Sequence, residues 1–343
     1  MTMNQNKIQL YTYPSEKSRS DAFFKNYHVN KLVDIKKDRD RQTLKAKKER
    51  LCRFCGKSYP ETIFTKKAHS ISHFLGNNFL LNDFECDKCN LQFAKYETYL
   101  GEYLKVYRIL NGTKGKHAIP KIKSSDGSQH VSRNDEGVIN FTGKDLKVNG
   151  DEIYCQIKTS YKPIFMYKAL VKMALSIMND DDIPYYKEFI QNFLLHEENN
   201  EELSSMAKIG IYSVGRANRV DSLKYMLFQK KLDTNIPFHL FSLYYEDFIF
   251  VIPLPLHLYD FKKGYYEQMR VEMPPPLFFS IPNYEAKVEF EQLNLGTIDK
   301  VTKTDRMNFT LNSEQLREYI EKQLNADLPE TFKIDGFGFK LNS

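Results

Sequence analysis

The chain has 343 residues, 41% of them hydrophobic and 14% aromatic, which excludes a disordered chain and allows two domains with a substantial core. Fifty Lys and Arg stand against 44 Asp and Glu, a mild basic excess of +6. No apolar run reaches the roughly 18 residues that span a bilayer, and residues 1–17 hold no signal-peptide core, so a cytoplasmic protein with no membrane partner is expected.

Residues 1–50 read as an N-terminal basic segment, partly helical. From Lys25 to Arg50 ten Lys or Arg accompany four acids, and Arg53, Lys57, Lys66 and Lys67 prolong the basic stretch. Such a strip neutralises backbone phosphates without reading sequence. The alternative is a solvated helix over 36–50, which lacks Pro and Gly.

Residues 51–110 carry the densest motif. Cys52 and Cys55 form one C-x-x-C pair, and Cys86 and Cys89 form a second. Four thiolates at this spacing can close a tetrahedral shell around one zinc ion, a structural site with no open position for chemistry. The ion would pin a loop-rich segment too poor in apolar residues to fold alone. Four unrelated buried thiols are the alternative. The fifth cysteine, Cys155, stays unpaired as a buried thiol, in keeping with a reducing compartment.

Between the pairs lie His69 and His73. After them Leu91, Phe93, Ala94, Leu100 and Tyr103 are spaced for an amphipathic helix that starts near Lys88. On that helix Asn90 and Glu97 are seven residues apart and share a face. An imidazole that titrates near neutral pH suits the deprotonation of water.

At this point the chain resembles a known family. Cys52 and Cys55, Ala68-His69-Ser70-Ile71, Leu75-Gly76-Asn77, Glu85-Cys86 to Cys89-Asn90, Phe93 and Glu97 match a pattern of HNH endonucleases over about residues 51–104. The resemblance implies a zinc-braced ββα-metal nuclease with His69 as general base and Asn90 as ligand to a catalytic Mg²⁺ or Mn²⁺. It also implies a central asparagine bracing the loop that carries the base, with Asn77, Asn78 and Asn82 as candidates. Asn77 could equally be a left-handed turn residue. His73 is read as a structural histidine.

The chain departs from the family pattern at Ala68, where many members carry a second cation ligand. Glu97 is the preferred replacement, with Asp83, Asp87, or phosphate and water as alternatives. Lys47, Lys48, Arg50, Arg53, Lys66 and Lys67 are the expected phosphate contacts. DNA is the expected partner, with RNA, an oligomer or an activating partner left open.

Downstream, residues 111–160 are punctuated by glycine and read as a β-rich linker or small sheet, with Asn149-Gly150 as a turn. Residues 161–343 read as a larger C-terminal α+β domain of unknown role. Its expected elements are helices over 163–178 and 185–196, strands over 238–241, 243–245, 248–252 and 256–259, and a helix over 313–325. Pro253 and Pro255 are read as strand separators. No Gly-rich phosphate loop or second metal cluster is visible. The expected fold class is α+β, a zinc-braced nuclease domain beside a domain containing an antiparallel sheet. The leading functional reading is a metal-dependent HNH endonuclease of a bacterial defence or mobile-element system. The rival is a zinc-knuckle nucleic-acid-binding protein without catalysis, which Ala68 keeps open.

Overall fold

The computed structural model describes residues 9–35, 42–44, 50–115, 118–123, 129–143, 147–149, 152–197, 206–231, 235–254, 273–310, 331–332 and 336–340. Helix α1 (Lys17–Asn26) runs into strand β1 (Tyr27–Ile35). Short strands β2 (Gln42–Leu44), β3 (Ala68–His69) and β4 (Leu80–Asn82) precede helices α2 (Asp87–Tyr103) and α3 (Lys105–Asn111). Next come β5 (Ile122–Lys123), β6 (Gln129–Arg133), β7 (Val138–Gly143), β8 (Lys147–Asn149) and β9 (Glu152–Tyr161), and then α4 (Pro163–Ile177). Beyond it lie β10 (Lys208–Ser213), β11 (Leu223–Lys230), β12 (His239–Tyr245), β13 (Phe248–Leu254) and β14 (Glu289–Asn294). The last described strands are β15 (Val301–Thr310), β16 (Thr331–Phe332) and β17 (Gly336–Lys340).

These elements divide between two compact units, each discontinuous in sequence: Met1–Glu97 with Pro163–Asp299, and Thr98–Lys162 with Lys300–Ser343. The first unit is built on a six-stranded antiparallel sheet in the order β1-β11-β12-β13-β10-β14. Its central strands are apolar on both faces. Met226, Phe228, Leu240, Tyr244, Ile249 and Val251 meet Phe23, Tyr27, Leu277 and Phe278 on one side. Tyr225, Leu227, Phe241, Leu243, Phe250 and Ile252 are buried in the alternate positions, which the period of two sends to the opposite face. Each such side chain contributes about 1.5–3 kcal/mol of transfer free energy.

Helix α4 packs against β13. All fifteen of its residues are buried, so it is a core helix. The first unit also holds a three-stranded sheet in which β4 pairs parallel with β2 and antiparallel with β3.

The second unit contains two four-stranded sheets, β15-β9-β8-β16 and β17-β7-β6-β5. Strands β9 and β15 pair along their whole length, from Tyr161 opposite Val301 to Glu152 opposite Thr310. Lys303 on β15 lies over the rings of Tyr103 and Tyr107, at 4.4 and 4.7 Å, and ion-pairs with Asp305 at 2.7 Å.

The mixed α+β class and the antiparallel sheet agree with expectation, but the linear boundaries at 50, 110 and 160 do not follow these units. Strand β1, from the N-terminal segment, pairs with β11, and β15 returns to β9. The alternative reading of 36–50 as a solvated helix does not hold at Gln42–Leu44, which form strand β2. The helix expected over 185–196 is a 3₁₀ turn (Ile183–Tyr186), one α-turn (Lys187–Phe189) and a π-turn (Ile190–Leu194).

Two expected strands merge into β12 through buried Ser242. Pro253 lies inside β13, opposite Leu240, because the pairing of β13 with β10 ends at Val251 and no ladder bond is lost there. The strand expected at 256–259, the helix expected at 313–325, and Lys47 and Lys48 lie outside the described residues. Among the described residues, no helix is long and apolar enough to cross a membrane.

Candidate functional site

The first cysteine pair sits in a tight loop. Cys52 N–H donates to Lys57 O at 2.8 Å, and Gly56 N–H donates to Cys52 O at 2.9 Å. Gly56 takes φ +70°, a left-handed conformation that side chains disfavour. The second pair opens α2, where Asn90 N–H bonds to Cys86 O at 2.9 Å. Phe54, inside the first pair, meets Phe93 of α2 edge-on at 4.6 Å.

The four Sγ atoms lie within 4.8 Å of one another, Cys55 and Cys86 at 3.7 Å. Zn–S bonds of about 2.3 Å in a tetrahedron give S···S edges of about 3.8 Å, so the donor set and its spacing fit a closed metal site. Among the described residues, no other group of three or more His, Cys, Asp or Glu side chains converges in this way.

A hairpin precedes α2. The Asp87 carboxylate, in the first turn of α2, accepts bonds from Thr65 N–H and Lys66 N–H at 2.9 Å each and from the Thr65 hydroxyl at 2.5 Å. Slight desolvation raises its pKa, but these bonds outweigh it and hold the group below the usual carboxylate range. Strand β3 then pairs with β4, Ala68 opposite Asn82 and His69 opposite Leu81. Ala68 is buried and His69 half-buried, with its ring 5.0 Å from that of His73 at 81°.

The connection between β3 and β4 is braced from within. A 3₁₀ turn (His73–Leu75) ends at Gly76, which takes φ +94°. Asn77 is fully buried. Its Nδ2 donates to Ile71 O at 2.7 Å and Leu80 O at 3.1 Å, while Oδ1 accepts from Phe79 N–H at 3.1 Å and Leu80 N–H at 2.8 Å. All four hydrogen-bonding positions of the amide are therefore used. Of the three candidate asparagines, Asn77 braces the loop, and the left-handed residue is Gly76 rather than Asn77. Asn78 is exposed, and Asn82 Oδ1 caps Phe84 N–H at 2.8 Å.

Lys172, from α4, reaches this hairpin with only 1% of its side chain exposed. Its ammonium donates to His69 O at 2.8 Å and lies 3.2 Å from both Glu97 Oε1 and Glu85 Oε2. Burial alone would lower its pKa, but the two carboxylates more than reverse this, and the group stays charged. Glu85, wholly buried, is pushed up to about 7 by desolvation against the pull of Lys172.

One turn earlier Lys168 donates to His196 O at 2.6 Å and lies 4.3 Å from the centre of the Phe193 ring. Tyr96 and Phe165 flank it at 5.7 and 6.0 Å. Burial lowers its pKa to about 8, and Glu197 offsets part of the shift.

The other expected residues separate into engaged and accessible groups. Arg53 is buried in its side chain, so its expected role as a phosphate contact needs correction. Its guanidinium donates to Leu175 O, Ser176 O and Met178 O at 2.8–3.1 Å, pairs with Asp180 at 2.5 Å and lies over Phe84. It caps the C-terminal end of α4, where unpaired carbonyls attract a cation. Arg50 is exposed and donates to Phe64 O at 3.0 Å. Lys66 and Lys67 are exposed beside β3.

Asn90 is half-buried, two turns before Glu97 on the same face of α2. Lys172 engages Oε1 of Glu97, so Oε2 and the Asn90 carbonyl oxygen remain as oxygen donors. Both are hard oxygen donors of the kind Mg²⁺ takes together with waters and phosphate, and they stand about 10.5 Å apart along the axis of α2. Sequence reading missed Lys168 and Lys172. The available signal was two lysines four apart inside an otherwise apolar helix. No known family model, curated protein or solved structure matches the chain.

Proposed function

We propose that the chain is a zinc-braced, divalent-metal-dependent endonuclease of the HNH type that hydrolyses DNA phosphodiester bonds. The observation that carries the reading is the half-buried His69 on a hairpin held by Asn77 on one side and by the cysteine cluster and α2 on the other. Cys52, Cys55, Cys86 and Cys89 hold zinc as a structural ion. Asn90 and Glu97 hold the catalytic cation, which when bound neutralises phosphate charge and stabilises the leaving oxygen.

His69 accepts a proton from water, and the hydroxide forms the new bond to phosphorus as the bond to the leaving oxygen breaks. Lys66, Lys67 and Arg50 draw in the phosphate backbone, a sequence-independent attraction that weakens as salt rises. A site of this kind suits a defence or mobile-element nuclease.

One observation favours a second reading, a nucleic-acid-binding protein without catalysis. Ala68, buried beside His69, supplies no ligand where many HNH enzymes have one. A plasmid assay with Mg²⁺, Mn²⁺ or EDTA separates the two. Metal-dependent nicking is expected from wild type and is lost in His69→Ala and Asn90→Ala, with one zinc per chain in all three. Intact, salt-sensitive DNA binding with no cleavage under any condition would favour the binding protein.

A further inference from the structure

We infer that Lys172 is a positioning residue for the hydrolytic site, aligning the general base and the cation ligand from outside the motif that carries them. This inference rests on the nuclease reading above. Lys172 lies on α4, far along the chain from β3 and α2, yet its ammonium makes a 2.8 Å bond to the backbone oxygen of His69. The same nitrogen lies 3.2 Å from Glu97 Oε1 and 3.2 Å from Glu85 Oε2. One charged group therefore connects the strand that carries the imidazole, the helix that carries Asn90 and Glu97, and the residue that precedes Cys86.

A lysine in this place does what an apolar residue cannot. Charge-assisted bonds are shorter and about twice as strong as neutral ones, and they are directional. At a buried position, two of them on one nitrogen, with the ion pair to Glu85 beside them, fix the distance between His69 and Glu97 to within the reach of a single ammonium. The bond to His69 goes to its backbone, so it sets where the imidazole begins without consuming either ring nitrogen. The bond to Glu97 takes one carboxylate oxygen and leaves the other for a cation. Supporting contacts of this kind around metal ligands are worth about 10–100-fold in metal affinity or activity.

The remaining fixtures of α4 keep Lys172 in register. Arg53 caps the carbonyls at its end, and Lys168 is bonded to His196 O one turn before. The helix is thus clamped on either side of the residue that touches the site.

The test compares wild type with Lys172→Met and Lys172→Arg in Mg²⁺-dependent cleavage of a duplex, with zinc content and DNA affinity measured on the same preparations. Lys172→Met leaves two carboxylates without their cation, so Lys172→Met with Glu85→Gln is made alongside as a variant with less uncompensated charge. For Lys172→Met we expect normal zinc content and DNA affinity, with kcat reduced about 100-fold, as for a misplaced reacting group. We also expect the Mg²⁺ concentration for half-maximal rate to rise about tenfold. Lys172→Arg should recover part of both.

Folded, zinc-loaded Lys172 variants with the kcat and Mg²⁺ requirement of wild type would overturn the positioning role and leave the nuclease reading in place. A wild-type protein that cleaves nothing overturns the nuclease reading and this inference with it. Should Lys172→Met fail to fold, Lys172→Arg and the double variant decide by the same two readouts.

Discussion

Asn77 makes four hydrogen bonds through one buried amide, and each partner is a backbone group of the β3–β4 connection. Asn77→Ala would leave Ile71 O and the N–H groups of Phe79 and Leu80 without this partner, while Leu80 O keeps its bond from Ser70 N–H. Leaving buried groups unpaired costs about 1–3 kcal/mol each before relaxation, so a loss of about 3 kcal/mol is expected in denaturant unfolding. A loss under about 0.5 kcal/mol would show that the loop holds without its brace.

Lys168 gives a residue-scale test by pH. In the fold its pKa is lowered from 10.5 to about 8, chiefly by burial. A depressed lysine pKa means that the charged form costs the folded state more than it costs the unfolded chain. The penalty is therefore full below about pH 8 and is relieved between about 8 and 10.5. Wild type should gain stability relative to Lys168→Met across that window, and a difference that stays constant with pH would contradict the assignment.

At the scale of elements, the basic residues near the hairpin do two different jobs. Arg53 terminates α4, whereas Lys66 and Lys67 are exposed on the approach to β3. Arg53→Met should cost about 2–3 kcal/mol of stability, as a charged donor is removed from buried carbonyls, without changing the salt dependence of DNA binding. Lys66→Ala and Lys67→Ala should leave stability within about 0.5 kcal/mol and each reduce the slope of log K against log salt by about 1. A reduced slope in Arg53→Met would mean that its guanidinium reaches phosphate after all.

α4 itself is the element with the widest reach. It is buried all round in the first unit and brings two ammonium groups to named partners. Its apolar content is evident from periodicity, but the direction of its lysines is not, because spacing along a helix says nothing about which acids the fold brings opposite.

At the scale of the whole molecule, the features legible in the sequence were local. The C-x-x-C spacings, the hairpin histidine, the bracing asparagine among three candidates, and the start of α2 are all encoded within a few residues of one another. The unread part is long-range. The pairing of β1 with β11 and of β9 with β15 joins segments far apart in the chain, so a linear division into domains could not anticipate two discontinuous units. Lys172 is ordinary in sequence and meets Glu97 only through the fold.

A consequence is that the segment with the two cysteine pairs and His69 should not be separable from the C-terminal half of the chain. A fragment of residues 1–162 lacks β11 to pair with β1 and lacks α4 with Lys172, so it should show no cooperative unfolding transition. Cooperative melting of that fragment would show that the first unit does not need its second segment.

A general base at His69 is replaceable by an exogenous one. Chemical rescue addresses it directly: His69→Gly is assayed on duplex DNA with Mg²⁺ while imidazole is added at fixed ionic strength. Little cleavage is expected without imidazole, and a rate that rises with the concentration of its unprotonated form. Cleavage by His69→Gly at the wild-type rate without imidazole would contradict that role of His69.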